Sequence, residues 1–191
     1  GNQGKVNELA VLLAQHHIEI VPQSNFNVPD VAETGTTFVE NAIIKARHAA
    51  KITGLPAIAD DSGLEVDALH GAPGVYSARY ACDLVGDKVT DDDNTNKLLN
   101  ALENIPDEER SARFHCVLVY MKHENDPTPI ICHGVWHGYI SREKQGEQGF
   151  GYDPVFVAKG ETITFGEMDP ARKHAMSRRA DSFKKLTAAL L

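Results

Sequence analysis

The apolar positions of this chain change their spacing several times, and each change marks an element. Across residues 5–16, Val6, Leu9, Leu12 and Leu13 recur at helical spacing, which predicts an amphipathic helix. Ile18-Glu19-Ile20-Val21 alternates as a short strand would, and a polar loop with two prolines follows over 22–35. Thr37-Phe38-Val39-Glu40 has the form of a capping box, opening a helix to about Thr53 with Gly54 as its stop. Pro56-Ala57-Ile58-Ala59 reads as a compact strand ending at Asp60-Asp61, 64–69 as a further strand, and 70–80 as a Gly/Pro-bearing loop. The aspartates at 91–93 precede a helix over about 94–104, with Leu98, Leu99, Leu102 and Ile105 on its apolar face. Residues 113–121 and 129–141 flank the turn Asn125-Asp126-Pro127 as a hairpin, and Val155-Phe156-Val157 is another strand. Asp169 as N-cap and Pro170 at N1 start a final helix with Met176, Ala180, Phe183 and Leu190 inward.

Helices alternating with short strands, plus one hairpin, predict an α/β fold: a mixed central sheet flanked by helices, in a single domain over 1–191. A Gly-rich turn that opens a helix ordinarily follows a buried strand, so a short strand is expected ahead of Gly1.

Composition narrows the field of functions. With 42% hydrophobic and 24% charged residues the chain has ordinary globular content. A formal net charge of −8 argues against a nucleic-acid polymer or a membrane surface as partner, both of which call for a basic field. A small phosphate ligand stays possible, because a local cluster of Lys, Arg and metal can overcome a negative average. No apolar run approaches the ~20 residues of a membrane span. Cys82, Cys116 and Cys132 show no close CxxC spacing and point to a reduced, cytoplasmic protein. In His115-Cys116 and Cys132-His133 the neighbours face opposite sides of a strand, so zinc is not predicted there.

Several short segments could carry chemistry. Gly1-Asn2-Gln3-Gly4-Lys5 is a turn entering a helix, where free N–H groups and the helix dipole favour an anion. It lacks the Walker A spacing, and Gly/Asn turns before helices are common for structural reasons alone. Glu33, Glu40, Asp60 and Asp61 are acids suited to magnesium, which needs only one or two carboxylates beside retained waters. Adjacent strand residues alternate, so one of Asp60 and Asp61 faces a site. In the plainer account Glu40 is the capping-box acid, Asp60 caps a turn, and the aspartates at 91–93 are helix N-terminal charges. Lys45 lies about 140° around the helix from Glu40, so the two form no i,i+4 pair, and a solvated lysine is its simplest reading. Phe150-Gly151-Tyr152-Asp153-Pro154 sets an aromatic, a side-chain-free position and a carboxylate in one Pro-stopped turn. Such a turn could seat a flat polar heterocycle or simply wrap a core aromatic.

Together with Lys173-His174-Ala175-Met176-Ser177-Arg178-Arg179, these motifs resemble the inosine triphosphate pyrophosphatase family, hydrolases of noncanonical purine nucleoside triphosphates. The resemblance runs from the first residue to the last helix. It implies an elongated α/β fold with a central substrate cleft, a homodimer, and Mg²⁺-dependent cleavage of ITP, dITP or XTP to the monophosphate and pyrophosphate. By the same resemblance Gly1, Asn2, Gly4, Lys5 and Lys45 meet the phosphates, and Asp61 is general base and metal contact. Glu33 is then the acidic metal residue, with Glu40 as second choice, and Ser62 is a substrate neighbour. Phe150 would stack on the base, Asp153 would contact the nucleoside side, and Gly151 and Tyr152 complete that turn. Lys173, Arg178 and Arg179 would meet the substrate from the final helix. The family reads Ser-His-Arg where this chain has Ser177-Arg178-Arg179. Arg offers donors only, which still suits a 6-keto oxygen but puts the pH dependence and the detail of base selection in doubt. Two rivals stay open: a catalytically silent nucleotide-binding module, and a pyrophosphatase for other modified nucleotides.

Overall fold

The computed structural model of the chain describes residues 3–14, 18–176 and 178–190; side chains at 3–5, 8, 9, 12, 174 and 178–181 fall outside that description. In chain order the elements are α1 (Gln3–Ala14), α2 (Phe38–Thr53), β1 (Ala57–Val66), α3 (Cys82–Val85), α4 (Asp91–Ala101), β2 (Ser111–Met121), β3 (Ile130–Ile140), β4 (Phe156–Ala158), α5 (Pro170–Met176) and α6 (Arg178–Leu190). Among the described residues the strands form one four-stranded antiparallel sheet in the order β1-β2-β3-β4. Gly138, Tyr139 and Ile140 of β3 pair with Ala158, Val157 and Phe156 of β4. Together with the helices this is the α/β class expected from the pattern.

Contacts divide the chain into two compact units. The first comprises Gly1–Asp61, Cys116–Gly134 and Arg179–Leu191. In it Ala42 and Ala46 of α2 pack on Val117, Val119 and Met121 of β2, their small side chains letting the helix lie close. A second cluster joins Leu13, Leu118, Cys132, Phe183 and Leu186. The hairpin turn is closed by buried Asp126, whose carboxylate accepts from the N–H groups of Lys122 and Thr128, each at 2.9 Å.

The second unit comprises Ser62–His115 and Val135–Arg178. Its core gathers Leu64, Val66, Leu98, Leu102, Ile140 and Phe156 with an aromatic group in which Trp136 and Phe165 centroids lie 4.2 Å apart. Arg110, 2% exposed, donates to the carbonyls of Leu102 (2.6 Å), Ile140 (2.8 Å) and Ser141 (2.7 Å). It thereby satisfies acceptors at the end of α4 that the helix leaves without intrahelical partners.

Three local expectations are corrected. Ile18 and Ile20 pack against the Leu13 cluster, but 18–21 joins no strand ladder among the described residues. The break expected at Asp60-Asp61 is absent: β1 runs unbroken through Asp60, Asp61, Ser62 and Gly63 and ends at Val66, where a 3-10 turn replaces the expected strand end. Neighbouring β2 supplies the ladder that overrides the poor strand propensity of those residues. Helix α4 starts three residues earlier than the pattern suggests, because Thr90 is the cap and the aspartates form the first turn. Helix is present on both sides of Ser177, in α5 and α6; Ser177 itself lies outside the described residues.

Candidate functional site

Helix α2 builds one half of the candidate chemistry, within the first unit. Thr37 caps it as the sequence indicates: Thr37 Oγ1 accepts from Glu40 N–H at 3.2 Å, and the hydroxyl donates to Glu40 Oε1 at 2.7 Å. Glu40 is thus occupied at the cap. Behind it Asn41, Lys45 and His48 follow i, i+4, i+7 spacing and share a face. Buried Asn41 accepts from Gly35 N–H (2.8 Å) through Oδ1, and His48 Nε2 donates to the Pro29 carbonyl (2.8 Å). These two contacts fix the loop that carries Glu33. Gly35 is required by the close approach, since a Cβ there would lie 2.6 Å from Glu40 Cβ and 2.8 Å from Asn41 Oδ1.

Lys45, the middle residue of that face, ends at two carboxylates. Its Nζ is 3.2 Å from Glu33 Oε1 and 3.2 Å from Asp61 Oδ1. The solvated-lysine reading is therefore replaced by a bridge between loop, helix and β1. Asp61 is mostly buried, its side chain 12% exposed, and its Oδ2 is buried with no hydrogen-bond partner among the described residues. Burial pushes the Asp61 carboxyl up, Lys45 pulls it down, and Glu33 and Asp60 push it up again; the net direction is upward. Burial alone would lower Lys45, but Asp61, Glu33 and Asp60 together outweigh it and hold the ammonium charged. A salt-bridged pair should lower its acid as it raises its base. Here the acid rises instead because burial outweighs the pull of Lys45, with the negative charge of Glu33 and Asp60 adding to it.

This donor set suits a divalent cation. Two carboxylates converge on a point already occupied by a positive Nζ, and one buried oxygen of Asp61 has a lone pair that no donor among the described residues meets. Among the described residues no group of three or more His, Cys, Asp or Glu converges to form a closed cage. Magnesium does not need one, because it retains several waters.

The other half lies within the second unit, on the turn at 150–154. Phe150 is 52% exposed and Tyr152 is 5% exposed, so the core aromatic of the turn is Tyr152. The Tyr152 hydroxyl donates to the Ser77 carbonyl at 2.6 Å, and burial pushes its pKa up; its side chain serves the core. Buried Asp153 accepts from Phe150 N–H at 3.0 Å and pairs with Lys173 of α5. Lys173 Nζ also stands 5.0 Å from the Phe150 ring centroid and 5.6 Å from that of Phe165. Gly149, at φ 75°, is required here, since a Cβ would meet Asp153 Oδ2 at 2.0 Å. The placement of Lys173 follows from Asp169, which caps α5 by accepting from Ala171 N–H at 2.9 Å.

The structure therefore brings together Glu33, Lys45 and Asp61 in one unit, and Phe150, Asp153 and Lys173 in the other. Ser62 follows Asp61 on β1. Gly1 and Asn2 lie outside the described residues; Gly4 and Lys5 fall in α1, and Arg178 and Arg179 in α6, with the side chains of Lys5, Arg178 and Arg179 outside the description. Sequence reasoning missed one residue at the turn: Asp91, whose Oδ2 accepts from Gly151 N–H at 2.8 Å. No local spacing could have shown it, because the two lie 60 positions apart.

Comparison with known proteins adds full-length similarity. A model of the Ham1 family matches residues 1–189. A dITP/XTP pyrophosphatase of Vibrio parahaemolyticus is 62% identical over 190 residues, covering 100% of this chain and 93% of that protein. One from Shigella flexneri is 56% identical over 190 residues, covering 100% and 94%. The solved structure of a HAM1 protein from Coxiella burnetii superposes with a TM-score of 0.92 at 53% identity, covering 99% of this chain and 94% of that one. The Ham1 protein of Staphylococcus aureus gives 0.88 at 40% identity, covering 100% and 94%.

Proposed function

The chain belongs to the Ham1 family, and on that premise we propose that it hydrolyses noncanonical purine nucleoside triphosphates, dITP, ITP and XTP, to the monophosphate and pyrophosphate. The observation that carries this reading is the Asp61 carboxylate, with one oxygen on Lys45 and the other buried without a donor among the described residues. Such an oxygen is poised to take a proton from a water. The water oxygen forms a bond to the α-phosphorus, the bond from that phosphorus to the bridging oxygen breaks, and pyrophosphate leaves with the electron pair. Burial helps, because a carboxyl raised above its ordinary range is a better base near neutral pH. Lys45, held charged, offsets negative charge on the phosphates. Gly1, Asn2, Gly4 and Lys5 are proposed as further phosphate contacts on the strength of the family resemblance.

Glu33 and Asp61 would hold Mg²⁺, which when bound supplies charge neutralisation for the triphosphate. Phe150 gives a base its stacking surface, and Lys173, aligned by Asp153, presents donors beside that ring. Donors suit a 6-keto oxygen and leave the amino group of adenine unmet, which is the chemical basis of a preference over adenine; rejection of guanine, which shares the 6-keto oxygen, needs a separate contact at its 2-amino group. Arg178 and Arg179 are proposed as further substrate contacts on the strength of the family resemblance. We take the two units as one functional domain in a cytoplasmic homodimer. Cys82, Cys116 and Cys132 form no disulfide among the described residues, which fits a reducing compartment, and the dimer rests on the family resemblance.

The test is pyrophosphate release from dITP, ITP, XTP, dATP, GTP and TTP, with and without Mg²⁺. Metal-dependent release from the first three alone is expected. Equal turnover of all six would overturn the base reading, and no turnover at all would leave a silent binding module.

A further inference from the structure

We propose that Asp91 is a positioning residue for the base-binding turn; the assignment rests on the reading of 150–154 given above. Phe150 is 52% exposed, with Lys173 Nζ 5.0 Å from its ring centroid, and the backbone of the turn sets where that ring stands. Two of the turn's residues are held from their own side chains: Asp153 grips Phe150 N–H, and the Tyr152 hydroxyl is tied to Ser77. Between them Gly151 sits at φ 59°, in the left-handed region, with no side chain to anchor it. Its N–H donates to Asp91 Oδ2 at 2.8 Å.

The acceptor is presented rigidly. Asp91 is the first residue of α4, and a reciprocal capping box beside it fixes that helix start: Thr90 Oγ1 accepts from Asp93 N–H (3.1 Å) and Asp93 Oδ2 from Thr90 N–H (2.9 Å). The same helical turn makes a second contact with the segment leading into 150–154, since Asp92 pairs with Lys144. The start of α4 thus clasps the turn at two places, and Asp91 holds the peptide next to the stacking ring. An acid at this position also interacts favourably with the helix dipole, so its charge and its hydrogen bond must be separated.

Asp91→Asn separates them: it removes the charge and keeps an oxygen able to accept from Gly151, whereas Asp91→Ala removes both. Steady-state pyrophosphate release from dITP and thermal melting would be measured for wild type and both variants. The Ala variant is expected to raise KM about three- to tenfold, the worth of one ordinary exposed hydrogen bond, with kcat little changed. The Asn variant is expected to restore KM while keeping whatever melting loss the missing charge causes. Wild-type turnover with an unchanged KM in the Ala variant would overturn this assignment alone. Equal KM defects in both variants would also overturn it, by making charge the cause. Absence of dITP turnover in the wild type would overturn the proposed function and this assignment with it.

Discussion

Removing the Phe150 ring is the sharpest perturbation of the base site, because the ring is 52% exposed and its loss should fall on binding rather than on folding. A base stacked on an aromatic side chain gains about 1–3 kcal/mol, so Phe150→Ala should raise the KM for dITP about 5- to 150-fold. The lower half of that range is favoured by geometry. Lys173 stands 5.0 Å from the ring centroid, and losing that cation–π contact would cost about 0.5–1 kcal/mol at an exposed place, but Asp153 still holds the ammonium. Stacking serves ground state and transition state alike, so kcat should stay within about threefold. Phe150→Trp, with a larger ring face, should keep KM near the wild-type value. The assay is initial-rate pyrophosphate release across dITP concentrations, with melting temperatures as the folding control. A KM within about twofold of wild type in the Ala variant, at an unchanged melting temperature, would refute stacking on Phe150.

Three further outcomes follow from the structure. Asp61→Asn should cut turnover by roughly 10²–10⁴; because the folded Asp61 is raised above 3.8, stability falls as pH climbs through its folded value, so the variant should melt no lower than wild type at neutral pH. Near-normal turnover, or a lower melting temperature, would count against that account. Arg110→Met leaves the Leu102, Ile140 and Ser141 carbonyls without their donor and should cost on the order of 3 kcal/mol in urea unfolding; a loss under about 1 kcal/mol would contradict it. Arg113 hydrogen-bonds Glu65 and Asp67 and holds both below 4.5 and 3.8, so their stabilisation is present above those values and disappears as pH falls through the depressed ones. The melting-temperature gap between wild type and Arg113→Gln should therefore be open at about pH 6 and narrow as pH falls below 4.5 and 3.8; a gap independent of pH would rule this out.

What the sequence alone determined was whatever a local rule can state. Thr37 and Gly54 mark the ends of α2 because capping and left-handed termination involve only neighbouring residues. The hairpin of β2 and β3 was legible from two apolar runs around Asn125-Asp126-Pro127, and the caps of α5 from Asp169-Pro170. The separate motifs around Asp61 and Phe150 could be named for the same reason. Tertiary structure decided what those motifs touch. The strand through Asp60-Asp61-Ser62-Gly63 exists because a neighbouring strand completes its ladder, which no propensity within those four residues conveys. Lys45 became a bridge when β1 and the loop at Glu33 reached the same helix face, and Tyr152 rather than Phe150 became the core aromatic when Ser77 offered its carbonyl. Asp91 accepts from Gly151 N–H only because the turn lies against the start of α4. Spacing along a chain fixes which side chains share a face, whereas hydrogen bonds and ion pairs between distant segments depend on where the folded backbone brings those faces.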